Sequence, residues 1–356
     1  MQQKEEKLFS FFELWPGWFF NLPIVIWWAL LSIRYRSVTL PTLSNPKLPL
    51  GGLCGESKEE LFSFLGEEGM RMMAPYVVYK TTGDAGVDAQ LARELFEKSN
   101  LSFPLIAKPD LGMNGTGVQK VRDDNELQDY IKEFPIGAKL ILQKLIDEPS
   151  EAGVFYIRKP GEEMGNITSV TLKHLPSVVG DGRASLRELI LRDKRAAHIA
   201  PLYFKRHKAK LGVILQDGEE LRLVTVGNHV KGARFTDGAA YITPKMIEVL
   251  DRIAKEIPEF RYGRFDVRFP SIESLQDGRF TILEYNGASS EPTHIWDKDE
   301  KIIDAYKAYL SSIYSLFVIG DYYRKMGYKP AGVITVWKAF RHEARVLRTY
   351  PQGREV

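Results

Sequence analysis

The chain has 356 residues, 44% hydrophobic and 27% charged. That is the mix of a folded globular protein, and it excludes a disordered chain, a collagen-like repeat and a polytopic membrane protein. Lysine and arginine number 49 against 46 aspartates and glutamates, so the net charge of +3 is too small for this length to support bulk nucleic-acid binding.

The single cysteine, Cys54, excludes an intrachain disulfide and a thiolate metal cluster, and it fits a reducing, cytoplasmic compartment. Four of the six tryptophans, Trp15, Trp18, Trp27 and Trp28, lie in a stretch from Leu14 to Ile33 that carries no charge. Its length would allow a bilayer span. Pro16 and Pro23 argue otherwise, because an interior proline ends or kinks a helix. With Pro23 in the first turn, the predicted helix runs from Ile24 to about Tyr35. At ~1.5 Å per residue it reaches less than ~20 Å, short of a ~30 Å hydrocarbon core. Arg34 and Arg36 follow, which favours an interface. No small-residue cleavage site follows, so a secretory signal is a poor reading. Three readings stand: a helical hairpin packed on the protein's own core, a peripheral anchor through residues 14–35 at the inner face of a membrane, or a true span.

Pro41 to Gly55 reads as an irregular connection. Glu56 to Gly66 predicts a short helix and Met72 to Tyr79 a strand. Helical spacing recurs over Asp88–Lys98 and Asn125–Phe134. Strands are expected at Pro104–Ala107, Lys139–Leu145, Val154–Ile157, Thr168–Leu172 and Leu221–Val226. Thr243–Ile257 is an amphipathic helix with a Thr-Pro start. Phe265–Phe269 and Phe280–Tyr285 are strands, and Lys298–Met326 is mostly helical. The last stretch is basic (Lys338, Arg341, Arg345, Arg348, Arg354) and reads as peripheral. Turn signals rather than helices join several strands, which predicts an α+β fold with antiparallel sheets.

Four groups of residues carry chemistry. Lys108 ends a strand and is followed by a loop with Gly112, Gly115 and Gly117, which can bring backbone N–H groups against phosphate oxygens. An ordinary hairpin turn with a surface lysine would read the same way. Gln143, Lys144, Leu145 and Ile146 close an apolar strand whose backbone can meet an adenine edge. Glu151 beyond them can bind ribose hydroxyls or sit as a solvated loop carboxylate. In Gly263–Phe269, Arg264, Asp266 and Arg268 share one strand face, and Glu284 and Asn286 share a face of the next strand. Asp266, Glu284 and Asn286 form an all-oxygen set suited to Mg²⁺, whereas an ion pair of Asp266 with Arg264 or Arg268 is the plain alternative. Lys231, Arg234 and His229 lie in a glycine-punctuated loop that either closes over phosphates or is a solvated turn. His229 has no partner at metal-ligand spacing.

In this order the motifs resemble the ATP-grasp superfamily, and within it the D-alanine–D-alanine ligases. The resemblance runs from about Phe103 to Ile295. It implies an ATP-grasp fold of two α+β subdomains, over about 88–150 and 151–330 within a domain at 73–330. An aromatic-rich N-terminal region (1–72) would precede it and a basic tail (331–356) would follow. It also implies ATP and two Mg²⁺ ions, or Mn²⁺ in their place. Lys108 and the Gly112–Gly117 loop would hold phosphates with Lys231 and Arg234. Gln143–Ile146 would read adenine, Glu151 the ribose, and Asp266, Glu284 and Asn286 the metal. Arg264 would steady a tetrahedral oxyanion, and the loop Gly287, Ala288, Ser289 and Ser290 would contact the acyl substrate. The implied reaction joins a small-molecule or peptide carboxylate to an amine through an acyl phosphate. Val179–Ile190 is similar to the insert of cyanophycin-synthetase-type ligases, and the first ~100 residues depart from the D-alanine ligases. An ATP-grasp kinase or other acyl transferase, and a membrane-associated nucleotide-binding scaffold, are the alternatives.

Overall fold

The computed structural model describes residues 7–224, 227 and 231–351. In chain order its helices are α1 (Gly17–Tyr35), α2 (Lys58–Ser63), α3 (Glu67–Met72), α4 (Ala85–Lys98), α5 (Asp124–Lys132), α6 (Leu186–Arg192), α7 (Ala200–Arg206), α8 (Pro244–Glu256), α9 (Ile272–Gln276), α10 (Ile302–Lys325) and α11 (Val333–Leu347). The strands are β1 (Tyr76–Lys80), β2 (Leu105–Pro109), β3 (Gln119–Val121), β4 (Lys139–Lys144), β5 (Ser150–Ile157), β6 (Asn166–His174), β7 (Ser177–Val179), β8 (Glu220–Arg222), β9 (Arg234–Asp237), β10 (Tyr262–Phe269) and β11 (Thr281–Asn286). The fold is α+β with antiparallel sheets, as the turn signals in the sequence predict. Residues 225 and 226 of the expected strand at Leu221–Val226, and His229 and Arg354, lie outside the described residues.

The chain forms two compact units. The first comprises Met1–Met73, Ile146–Leu172 and Phe235–Arg345. Its sheet has the order β11-β10-β5-β6-β9. β10 pairs antiparallel with both β11 and β5. The alternation read from the sequence decides its two faces: Phe265, Val267 and Phe269 are fully buried, and Arg264, Asp266 and Arg268 lie opposite. α8 begins at Thr243, whose side chain accepts from Met246 N–H, and it buries Met246, Leu250 and Ile253.

The N-terminal segment differs from expectation. α1 starts at Gly17, so Pro23 sits inside it. Proline forfeits its own N–H bond, but Phe20, Ile24 and Leu31 bury into one core with Phe155, Tyr262 and Phe317, and that tertiary packing outweighs the local preference. Nineteen residues make a helix of roughly 28 Å at ~1.5 Å per residue, so length does not disqualify a span. No hairpin forms over residues 14–55; α1 is followed by short 3-10 turns at Leu40–Leu43 and Pro49–Gly52, and it packs on α10.

The second unit comprises Ala74–Leu145, Lys173–Arg234 and Val346–Val356. Its main sheet is antiparallel with the order β1-β4-β2-β3. Leu105, Leu140 and Leu142 share a core with Phe96 of α4 and Leu127 and Ile131 of α5. A smaller β7–β8 pair shares a core with Leu186 and Ile190 of α6 and Tyr203 of α7. The segment read as a peripheral tail contains α11. Glu343 is buried in the first unit, and Tyr350 stacks on Phe134 in the second at 5.4 Å.

Asp88 of α4 is fully buried and ties the turn after β1 to the helix. It accepts from Thr82 N–H (2.9 Å) and Oγ1–H (2.6 Å), Gly83 N–H (3.1 Å) and the Tyr79 hydroxyl (2.8 Å). Burial pushes its pKa up, but these hydrogen bonds, with Thr82 foremost, outweigh burial and hold it below the ordinary value. A carboxylate depressed in the folded state adds stability above its unfolded pKa of about 4, and that contribution is lost as the pH falls through the folded value. The stability gap between wild type and Asp88→Asn is therefore expected to be full near neutrality and to shrink below pH ~4. Urea melts across acidic pH check this; a gap that does not change with pH would refute it.

Candidate active site

In the first unit, four predicted residues converge on one sheet face. Asp266 of β10 lies opposite Glu284 of β11, and Arg264 lies opposite Asn286. Residues directly opposite in an antiparallel pair project to the same side, so all four share a face. The Arg264 guanidinium donates to both Asp266 oxygens, at 2.9 and 3.2 Å. Burial works against its charge, but Asp266 first, then Glu284 and Glu291, hold its pKa above the ordinary value. The ion pair left open by the sequence is thus formed.

The donor set still suits a hard cation. Two carboxylates and an amide oxygen stand on adjacent strand positions, and Gly153 of β5 lies opposite Asp266. A Cβ on Gly153 would stand 2.9 Å from Arg264 Cδ and 3.2 Å from Asp266 Oδ1, so the glycine lets the Arg264–Asp266 pair lie close against β5. Asp266, Glu284 and Asn286 are the residues that would hold Mg²⁺. Glu151, read as the ribose carboxylate, begins the same sheet face further along. It is buried beside Arg268 at 3.3 Å, and Arg268 also donates to Ile146 O at 2.7 Å.

The second unit holds the predicted phosphate and adenine residues from Lys108 to Leu145, together with Lys231 and Arg234. Lys108 on β2 is buried, and its Nζ donates to Gln143 Oε1 on β4 at 2.8 Å. Gln143 Nε2 in turn donates to Ala74 O at 3.1 Å. Lys144 ends β4, and its N–H donates to Pro75 O. Leu145 closes this segment of the unit. The Gly112–Gly117 loop links β2 to β3 as a hairpin connection. Lys231 reaches into it and donates to Gly115 O at 2.6 Å, and the Tyr130 hydroxyl donates to Gly117 O at 2.7 Å. Arg234 begins β9.

The loop Gly287–Ser290 shows what the sequence reading missed. It rests on the stretch taken for an irregular connection. Ala288 N–H donates to Gly51 O at 3.1 Å, and Ser289 N–H to Gly52 O at 2.6 Å. Gly52 has φ +78°, and a Cβ there would stand 2.5 Å from Gly287 Cα, so the approach requires glycine. Glu56 follows at the same place. It is half-buried overall, but its Oε1 is shielded from solvent without a hydrogen-bond partner. Burial pushes its carboxyl up to about 7; Lys58 pulls it down, Glu343 adds to the rise, and the nearby Gly287 N–H lowers it again. Cys54 beside it is pushed up to about 12, by burial first and then by Glu343 and Glu56, so it packs as a protonated thiol. The Gly51-Gly52 doublet was the one signal available in the sequence.

No protein-family model matches the chain, and no curated protein matches it by sequence. Among solved structures it is similar to a D-alanine–D-alanine ligase from Bacillus anthracis, at 14% identity over 76% of this chain and 69% of that one, with a TM-score of 0.40. It is similar to the VanG D-Ala:D-Ser ligase from Enterococcus faecalis, at 14% identity over 77% of this chain and 64% of that one, with a TM-score of 0.41. The third is a bifunctional glutathione synthetase from Pasteurella multocida, at 13% identity over 66% of this chain, with a TM-score of 0.32; the match spans 33% of that synthetase's length.

Proposed function

We propose that the chain is an ATP-dependent carboxylate–amine ligase of ATP-grasp type, forming an amide or peptide bond. The observation that carries this reading is the shared face of Arg264, Asp266, Glu284 and Asn286 on paired strands. An apolar sheet core has no use for two carboxylates, an amide and a guanidinium in register, whereas phosphoryl transfer and amide formation use all of them.

A substrate carboxylate attacks the γ-phosphate of ATP, ADP leaves, and an acyl phosphate results. Lys108 and Lys231 place positive charge for the phosphates, and the glycine loop offers backbone N–H groups. Mg²⁺, when bound, neutralises phosphate charge as it develops. An amine then attacks the acyl carbon, Arg264 holds the oxyanion, and inorganic phosphate departs. Asp266 orients Arg264 through two hydrogen bonds, and Glu284 adds negative charge nearby. The Gly287–Ser290 loop, fixed from below by Gly51 and Gly52, is assigned to the acyl substrate.

The test is a panel of acids and amines read by ADP and phosphate release, followed by product mass. A product equal to acid plus amine minus water supports ligation. A phosphorylated acceptor would replace this reading with a kinase. Lys108→Met removes the charge while keeping the stem, and a charge-assisted contact to phosphate is worth enough that KM for ATP should rise roughly ten- to hundredfold. An unchanged KM would remove Lys108 from the phosphate site.

A further inference from the structure

α1 is apolar on two sides. One side is packed: Phe20 stacks on Tyr306 at 5.3 Å, and Trp27 Nε1 donates to Leu310 O at 3.0 Å. The other side is bare. Trp18, Phe19, Leu22, Val25, Ile26, Leu30 and Ile33 are all exposed, Trp18 at 73% and Ile33 at 75%. At ~100° per residue they form one continuous stripe roughly 140° wide. Phe11 and Leu14, just before the helix, are exposed too. An apolar face of this extent marks an interaction surface.

The charge pattern says what covers it. The sequence has no carboxylate between Glu13 and Glu56, while Arg34 and Arg36 sit where α1 ends. α11, in the same unit for most of its length, repeats the design. Val333, Ile334, Trp337 and Phe340 are exposed, and Lys338, Arg341, Arg345 and Arg348 flank them. Arg341 lies over the Trp337 ring at 4.9 Å, and Glu343, the carboxylate of this helix, is buried. Exposed tryptophan with cationic flanks and no exposed acid complements an anionic lipid headgroup layer. The packed side of α1 excludes a simple span, since crossing the bilayer would strip Phe20, Ile24 and Leu31 from their core.

We propose that the outer face of α1 seats this protein on the surface of an anionic bilayer as a monotopic contact, with the exposed face of α11 as a second point of attachment. The stripe enters the headgroup–acyl boundary, and the arginines meet phosphate. This leaves the ligase reading untouched, since none of these residues belongs to the assigned site.

Co-sedimentation of the full chain with vesicles tests it. One set holds equal parts phosphatidylcholine and phosphatidylglycerol, the other phosphatidylcholine alone. Wild type should pellet with the anionic set and, through screening, less so in ~1 M salt. Trp18→Ser/Val25→Ser/Ile33→Ser should lower vesicle partition by roughly tenfold or more without lowering Tm, because these side chains are already exposed. Arg34→Glu/Arg36→Glu keeps the apolar stripe and should lose the preference for anionic vesicles. Wild type staying in the supernatant with anionic vesicles would overturn the proposal, as would equal partition of wild type and the triple variant. A lipid-independent dimer that the triple variant dissolves would overturn it in favour of a second copy of the chain.

Discussion

Glu284→Gln should lower turnover by roughly a thousandfold or more while leaving Tm within about a degree of wild type. The substitution keeps size and shape and removes one negative charge. Among the described residues Glu284 forms no ion pair, so nothing structural is released when its charge goes. Its place in register with Asp266, on the face shared with Arg264 and Asn286, is what makes the charge matter. Asp266→Asn should behave differently. Asp266 accepts both hydrogen bonds of a largely buried guanidinium, so its loss costs activity and also about 2 kcal/mol of stability. The two variants together separate chemistry from packing. If Glu284→Gln retains wild-type turnover on an identified acid and amine, the metal assignment of this face falls. If Asp266→Asn loses stability alone and keeps turnover, the ion pair is the whole role of that carboxylate.

The residues of this face were legible because β10 and β11 announce themselves. Strict alternation in Gly263–Phe269 can bury Phe265, Val267 and Phe269 in just one way, and the polar residues are then forced to the opposite side. Lys108 and Gln143 were legible for the same reason, each at the end of an apolar run that became a strand. The N-terminal region was not. Its helix breaks the local rule for proline because contacts with α10, nearly three hundred residues away in sequence, decide it. α11 reads as a basic tail because its hydrophobic and cationic residues are both exposed, and the burial of Glu343 and Tyr350 depends on partners far along the chain. The ion pair between Glu151 and Arg268 is likewise a matter of strand register, which no spacing within either segment reveals. Local periodicity thus located the strands that carry the proposed chemistry, and it was silent on what braces them.

That brace gives the second large effect. Asn45 is fully buried in the segment that has no periodicity at all, and its side chain does the work of a missing strand edge. Its Nδ2 donates to Tyr262 O at 2.8 Å and Gly51 O at 3.0 Å. Its Oδ1 accepts from Arg261 N–H at 2.9 Å and Tyr262 N–H at 3.1 Å. Asn45→Ala removes all four bonds at once and leaves buried backbone groups at the start of β10 without partners. Each such group costs about 1 kcal/mol or more, so the variant should lose roughly 3 kcal/mol, near the top of the usual range for one substitution. Asn45→Asp should be at least as costly, because it keeps the acceptor but sets a carboxylate oxygen against the Gly51 and Tyr262 carbonyls. The damage should reach function as well. Gly51 O holds Ala288 N–H, so releasing the Gly51–Gly52 corner releases the loop assigned to the acyl substrate. Residual enzyme assayed well below its Tm should therefore show a raised KM for the acid, with KM for ATP much less affected. A variant that unfolds like wild type would show that Asn45 braces nothing. Equal rises in both KM values would disconnect the Gly287–Ser290 loop from recognition of the acid.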